Sequence, residues 1–102
     1  MNQQMMMRLR KMQKQLQEAQ EKLQNTEFTG TAGGMVSVTI KGTHEVLSVK
    51  IDPEAFESKD DIEMIEDSIV SAFKDANRKL EAETEKVLGP YAGAASGMGG
   101  LF

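Results

Sequence analysis

The 102-residue chain contains no cysteine and no tryptophan, one tyrosine, one histidine and two prolines. Without cysteine there is no disulfide framework, no thiolate nucleophile and no Cys-ligated zinc or iron–sulfur site. His44 is the only imidazole, so one chain cannot assemble a two-His metal site. It sits in a turn with no Ser, Asp or Cys placed to form a nucleophilic pair. Apolar runs extend only a few residues, too short to cross a bilayer or to form the apolar centre of a signal peptide. A soluble cytoplasmic protein is expected.

Other chemistry is excluded by spacing. Gly97-Met98-Gly99-Gly100 has the glycines of a phosphate-cradling loop, but it precedes no helix and lacks the Gly-Lys-Ser/Thr sequence. Asp60-Asp61, Glu66-Asp67 and Glu81/Glu83/Glu85 offer neighbouring carboxylates, yet they fall at a helix start and along a solvated helix face. They also lack the loop spacing and central Gly of a calcium site. No enzyme, cofactor, metal or small-molecule substrate is expected.

Charge is present but unevenly spread. Twelve Lys and Arg against sixteen Asp and Glu give a net charge of −4. Residues 1–25 hold Arg8, Arg10, Lys11, Lys14 and Lys22 against Glu18 and Glu21, a balance of +3, and residues 1–17 contain no acid. Residues 52–102 carry twelve acids against five bases, a balance of −7. An acidic chain thus has a basic head, which speaks to its partners more directly than its overall charge does.

Periodicity supplies the elements. Met5, Leu9, Met12, Leu16, Ala19 and Leu23 recur at spacings of 4, 3, 4, 3 and 4. That is a heptad seam on a helix over 2–25, with no Gly or Pro to interrupt it. A period of two follows within 27–51. Val36, Val38 and Ile40 alternate with polar residues, as do Leu47, Val49 and Ile51. Gly42 is expected to supply any positive φ in the turn between them, and Phe28 to Ala32 forms a weaker strand closed by Gly33-Gly34. Asp52-Pro53 ends the last strand. A second helix is predicted over 60–88, with Ser58 and Asp61 in capping-box positions and Gly89-Pro90 as its stop. Its apolar stripe reads Ile62, Ile65, Ile69, Phe73, Ala76 and Leu80.

The result is an α+β fold: a long N-terminal helix, a three-stranded antiparallel meander and a long C-terminal helix. Residues 1–88 form one domain, and 89–102 a flexible Gly-rich tail. A seam as narrow as that of the first helix suits a facing helix, and nothing of similar length is left within the chain to face it. A homodimer resolves this by pairing elements across a two-fold axis.

Arg10, Lys11 and Lys14 fall opposite the seam and project together, while Arg8 and Lys22 flank it. Four cations within two turns make a strip suited to phosphates, and a dimer presents two such strips. With no aromatic interleaved, contact is expected to be backbone-directed and weakly sequence-selective. The alternative is a coiled-coil interaction scaffold or prefoldin-like holdase, for which Met5, Met6, Met7 and Met12 offer an adaptable surface.

The order of elements, the run Phe28-Thr29-Gly30-Thr31-Ala32-Gly33-Gly34-Met35-Val36, the segment Val49-Lys50-Ile51-Asp52-Pro53 and the ending Gly99-Gly100-Leu101-Phe102 resemble the YbaB/EbfC family of bacterial nucleoid-associated proteins. The resemblance covers the whole chain. It implies an intertwined homodimer with protruding helical arms and binding to double-stranded DNA that alters DNA conformation. A place in nucleoid organisation or gene regulation follows from it. It also implies DNA contacts on the helical arms. Carried onto this chain, these are Arg8, Arg10, Lys11 and Lys14, with Lys22, Arg78 and Lys79 in addition.

Overall fold

A computed structural model describes residues 2–91. The order is α1 (Gln3–Gln24), β1 (Glu27–Ala32), β2 (Val36–Lys41), β3 (Val46–Ile51) and α2 (Ile62–Leu88), with single 3-10 turns at Pro53–Ala55, Lys59–Asp61 and Gly89–Tyr91. The strands form one antiparallel sheet in the order β1-β2-β3. The molecule is elongated, measuring 70 × 19 × 16 Å. This is the predicted arrangement of elements.

Each α1 end is closed by a side chain. The Asn2 side chain accepts from the Met5 amide at 2.8 Å, and Asn25 donates from its side chain to the Glu21 carbonyl at 2.9 Å. The Thr26 hydroxyl donates to the Lys22 carbonyl at 2.7 Å. The chain then turns directly into β1.

The core lies between the sheet and α2. Val36, Val38 and Ile40 of β2 are fully buried and face the helix, together with Phe28, Ala72, Ala76 and Leu80. Burying each of the three β-branched side chains is worth roughly 1.5–3 kcal/mol. The helix approaches β1 very closely at Gly30. A Cβ on that residue would be driven into the Ala72 carbonyl and the Ala76 amide. This contact selects the helix face: Ala72 is buried, whereas Phe73 and Ile62, predicted for the core stripe, are 37% and 45% exposed. A large side chain has no room where backbone meets backbone.

One turn is as expected and the other differs. The β1–β2 turn uses Gly33 and Gly34 at φ 57° and 73°, and the Met35 amide closes it on the Ala32 carbonyl at 3.1 Å. In the β2–β3 turn the positive φ belongs to His44, at 72°, and not to Gly42. Gly42 is required for another reason. It abuts the Leu23 carbonyl at the end of α1, and its amide donates to the Thr26 carbonyl at 3.0 Å. In β3 the register shifts opposite Thr39 and Ile40, so that Val46 pairs with Ile40 while Thr39 pairs with Ser48. Leu47 is the extra residue of this bulge and has no partner on β2.

The seam of α1 divides in two. Leu23 is buried and Leu16 and Ala19 are half-buried against the last turns of α2, where Thr84 and Leu88 are half-buried as well. The seam therefore does have an intramolecular partner, over its C-terminal half. Met5, Leu9 and Met12 stay exposed. Of the predicted tail, Gly89–Tyr91 continues from α2 as a 3-10 turn, and 92–102 lie outside the described residues.

Candidate nucleic-acid interface

Every residue of α1 up to Gln15 is exposed, so roughly 20 Å of helix, at about 1.5 Å per residue, stands clear of the other described residues. Its root is held firmly. Leu23 is buried, Gly42 lies against the Leu23 carbonyl, and Thr26 bonds to both Lys22 and Gly42. A helix anchored at one end carries whatever charge its sequence places on the other.

Arg8, Arg10, Lys11 and Lys14 all lie on this free segment and are all exposed. Among the described residues the ion pairs converge on Asp75, so none of these four cations has an acidic partner. Helical geometry keeps Arg10, Lys11 and Lys14 on the side away from the seam. Lys22 is exposed at the root of the arm, in the last turn of α1.

Arg78 and Lys79 are placed differently. Asp75 accepts from the Thr31 amide at 3.0 Å, and Lys79 donates to the Thr29 carbonyl at 2.7 Å. Thr29 and Thr31 belong to β1, an edge strand, so these side chains occupy edge groups that the sheet leaves open. The Lys79 ammonium lies 3.6 Å and the Arg78 guanidinium 3.4 Å from the Asp75 carboxylate. The Thr31 amide, with Lys79 and Arg78, holds the Asp75 carboxyl below the usual aspartate range. The Asp75–Lys79 spacing was visible in the sequence. Nothing local signalled that both would reach across to β1.

Arg78 instead lines an open groove at the root of the arm, with Gln20, Leu23 and Gln24 of α1. Lys14 lies six or more residues further up α1, roughly 9 Å or more along its axis. The fold does not bring Arg78 and Lys79 into the strip formed by Arg8 to Lys14. Acids line two places: Glu81 and Glu85 share the groove with Arg78, and Asp60, Glu63 and Asp67 line a hollow beside the Gly33 turn, at the start of α2. Only the acid-free first part of α1 is therefore set apart, along the chain, from acidic side chains.

Among the described residues no group of three His, Asp or Glu side chains is arranged to hold a metal ion. No described helix is long and apolar enough to cross a membrane.

A second surface is apolar. α2 lies across β1 and β2 and leaves β3 uncovered. Val49 and Ile51, paired with the buried Val38 and Val36, are 45% and 41% exposed, and Val46 is 49% exposed. Phe56, Val70 and Phe73 are exposed as well. Isolated exposed apolar residues are ordinary, but an outer strand of three left open on the sheet's inner face is the kind of apolar patch that marks interaction sites.

Known proteins share this chain's sequence and shape. A nucleoid-associated protein of Corynebacterium diphtheriae is 41% identical over 100 residues, covering 97% of this chain and 93% of that one. One from a Mycobacterium species is 50% identical over 91 residues, covering 88% and 79%. The crystal structure of the uncharacterized protein HP0035 from Helicobacter pylori superposes with a TM-score of 0.67 at 28% identity, covering 90% of this chain and 98% of that one. The model of the YbaB/EbfC DNA-binding family, a family of DNA-binding proteins and not of enzymes, matches residues 1–95. The chain belongs to the YbaB/EbfC DNA-binding family.

Proposed function

We propose that this protein is a nucleoid-associated protein that binds duplex DNA as a homodimer, through the basic arms of its two copies, and alters DNA conformation. The observation that carries this reading is the free segment of α1. Arg8, Arg10, Lys11 and Lys14 are exposed on a helix that stands clear of the fold, in a stretch without an acid. Lysine and arginine in that setting neutralise phosphates and release counterions, whatever the base sequence. With no aromatic in α1 and no base-reading motif, the contacts go to the backbone and selectivity is low. Lys22 extends the strip toward the root. Arg78 and Lys79 add positive potential near the sheet, although Lys79 is already engaged with Thr29.

The dimer is supported by the open apolar face around Val46, Val49, Ile51 and Phe73, which a second copy covers. The β1 edge is occupied by Asp75 and Lys79, whereas β3 has no strand on its outer side among the described residues. Met5, Leu9 and Met12, the open half of the seam that continues into Leu16, Ala19 and Leu23, make helix contacts between copies. Such a protein works in the cytoplasm, on the nucleoid.

Charge reversal tests the strip. Substituting Arg10→Glu, Lys11→Glu and Lys14→Glu together is expected to abolish binding to a random duplex while leaving the dimer and its helicity unchanged. Undiminished binding by that variant refutes the strip.

A further inference from the structure

The tip of α1 carries an apolar feature that phosphate binding does not use. Met6 and Met7 lie off the seam and are 42% and 67% exposed. With Gln3 and Arg10 they line one shallow concavity. Residues 3, 6, 7 and 10 share a helix face because they stand three or four apart. Cations follow the pair, with Arg8 next along the chain and Arg10 in the concavity itself, and no acid occurs before Glu18. An apolar protein partner would gain from the methionines and find nothing to neutralise the cations. Duplex DNA presents both complements, an anionic backbone and the apolar faces of stacked bases.

Resting on the reading of α1 as a DNA-binding arm, we propose that Met6 and Met7 form an apolar wedge that enters the minor groove of duplex DNA and opens a base step. Gln3 and Arg10 flank the wedge and contact the groove edge and the adjacent phosphate. Methionine suits the task because its long, unbranched, polarizable side chain adapts to an irregular gap. Apolar wedges inserted from the minor groove unstack a step and kink the duplex by roughly 20–90° toward the major groove. Flexible pyrimidine–purine steps yield most readily, so TA steps are the favoured point of entry. The wedge supplies a physical route from weakly selective binding to altered DNA conformation.

The test uses the full chain and a short duplex with 2-aminopurine placed at TA steps and a donor–acceptor dye pair at its ends. Two double variants are compared with the wild type, Met6→Leu with Met7→Leu and Met6→Gln with Met7→Gln. All these residues favour helix, so α1 is retained. Wild type and the leucine variant are expected to raise 2-aminopurine fluorescence several-fold and to bring the dyes together. The glutamine variant is expected to bind with unchanged salt dependence and to do neither. Equal unstacking by the glutamine variant, or a wild type that binds without unstacking, overturns the wedge and leaves the arm reading standing. A wild type that does not bind duplex at low salt overturns both.

Discussion

The Lys79 ammonium donates to the Thr29 carbonyl at 2.7 Å, and through this bond a helix side chain occupies the open edge of the sheet. Asp75, one turn earlier, does the same for the Thr31 amide. One edge of the sheet is thereby closed to a second strand, while the β3 edge keeps both its open backbone and its uncovered apolar side chains. This asymmetry is the reason the proposed dimer is placed on the β3 face.

Lys79→Met removes the bond to Thr29 and keeps most of the aliphatic stem. Since Lys79 is about half exposed, the loss is expected to be modest, about 0.5–1 kcal/mol in urea unfolding. Its effect on DNA affinity is expected to be small beside that of Arg10→Glu, and an effect of equal size would return Lys79 to the phosphate-binding set.

Asp75 gives a pH dependence of defined sign. Its folded carboxyl titrates below the ordinary aspartate value, chiefly because the Thr31 amide donates to it. The stabilisation is present above the unfolded value of about 3.9 and is lost as pH falls through the folded value. Wild type is therefore expected to lose stability below about pH 4 more steeply than Asp75→Asn, in parallel denaturant titrations. Identical acid limbs for the two proteins contradict this account of Asp75.

Gly30 and Gly89 are expected to respond oppositely to alanine. A Cβ at Gly30 meets α2 backbone, so Gly30→Ala is expected to cost about 3 kcal/mol, the upper end for overpacking. No described residue lies within 4 Å of a Cβ at Gly89, and its φ is −51°, so Gly89→Ala is expected to be neutral or to stabilise by up to about 0.5–1 kcal/mol. Chemical unfolding of the two variants distinguishes a close-approach glycine from a permissive one.

Much of this fold was legible because its periods are long and unbroken. The heptads of α1 and the alternation of Val36, Val38 and Ile40 each allow one reading. The misplacements share a cause, which is that a long-range contact decided between two locally acceptable residues. Phe73 outranks Ala72 in any local apolar stripe, yet the Gly30 backbone admits only alanine. Val46 and Leu47 are equally apolar, so the sequence does not reveal which one pairs with Ile40. Gly42 looks like the residue for a positive φ, but the α1 terminus presses on it and the left-handed position passes to His44. The strip of Arg10, Lys11 and Lys14 was legible because it needs only helix geometry. The length of arm that stands clear was not, because it depends on where α2 ends.

The open face around β3 leads to a direct expectation for assembly. Wild type is expected to sediment as a dimer at micromolar concentration. Val49→Lys together with Ile51→Lys is expected to shift it to monomer, because two ammonium groups would then sit in the covered interface. A wild type that sediments as a folded monomer removes the dimer from the account, and a variant that remains fully dimeric moves the interface elsewhere.

The most direct test of DNA binding by the arms is fluorescence anisotropy of a random duplex, titrated with protein at several salt concentrations. If the arms together neutralise roughly four to six phosphates, log K should fall with log salt at a slope of about −4 to −5. Saturable binding with that slope, lost when Arg10, Lys11 and Lys14 are reversed, is the predicted result. Absence of binding at low salt, or binding indifferent to salt, contradicts it and favours a scaffold or holdase that uses the apolar surfaces.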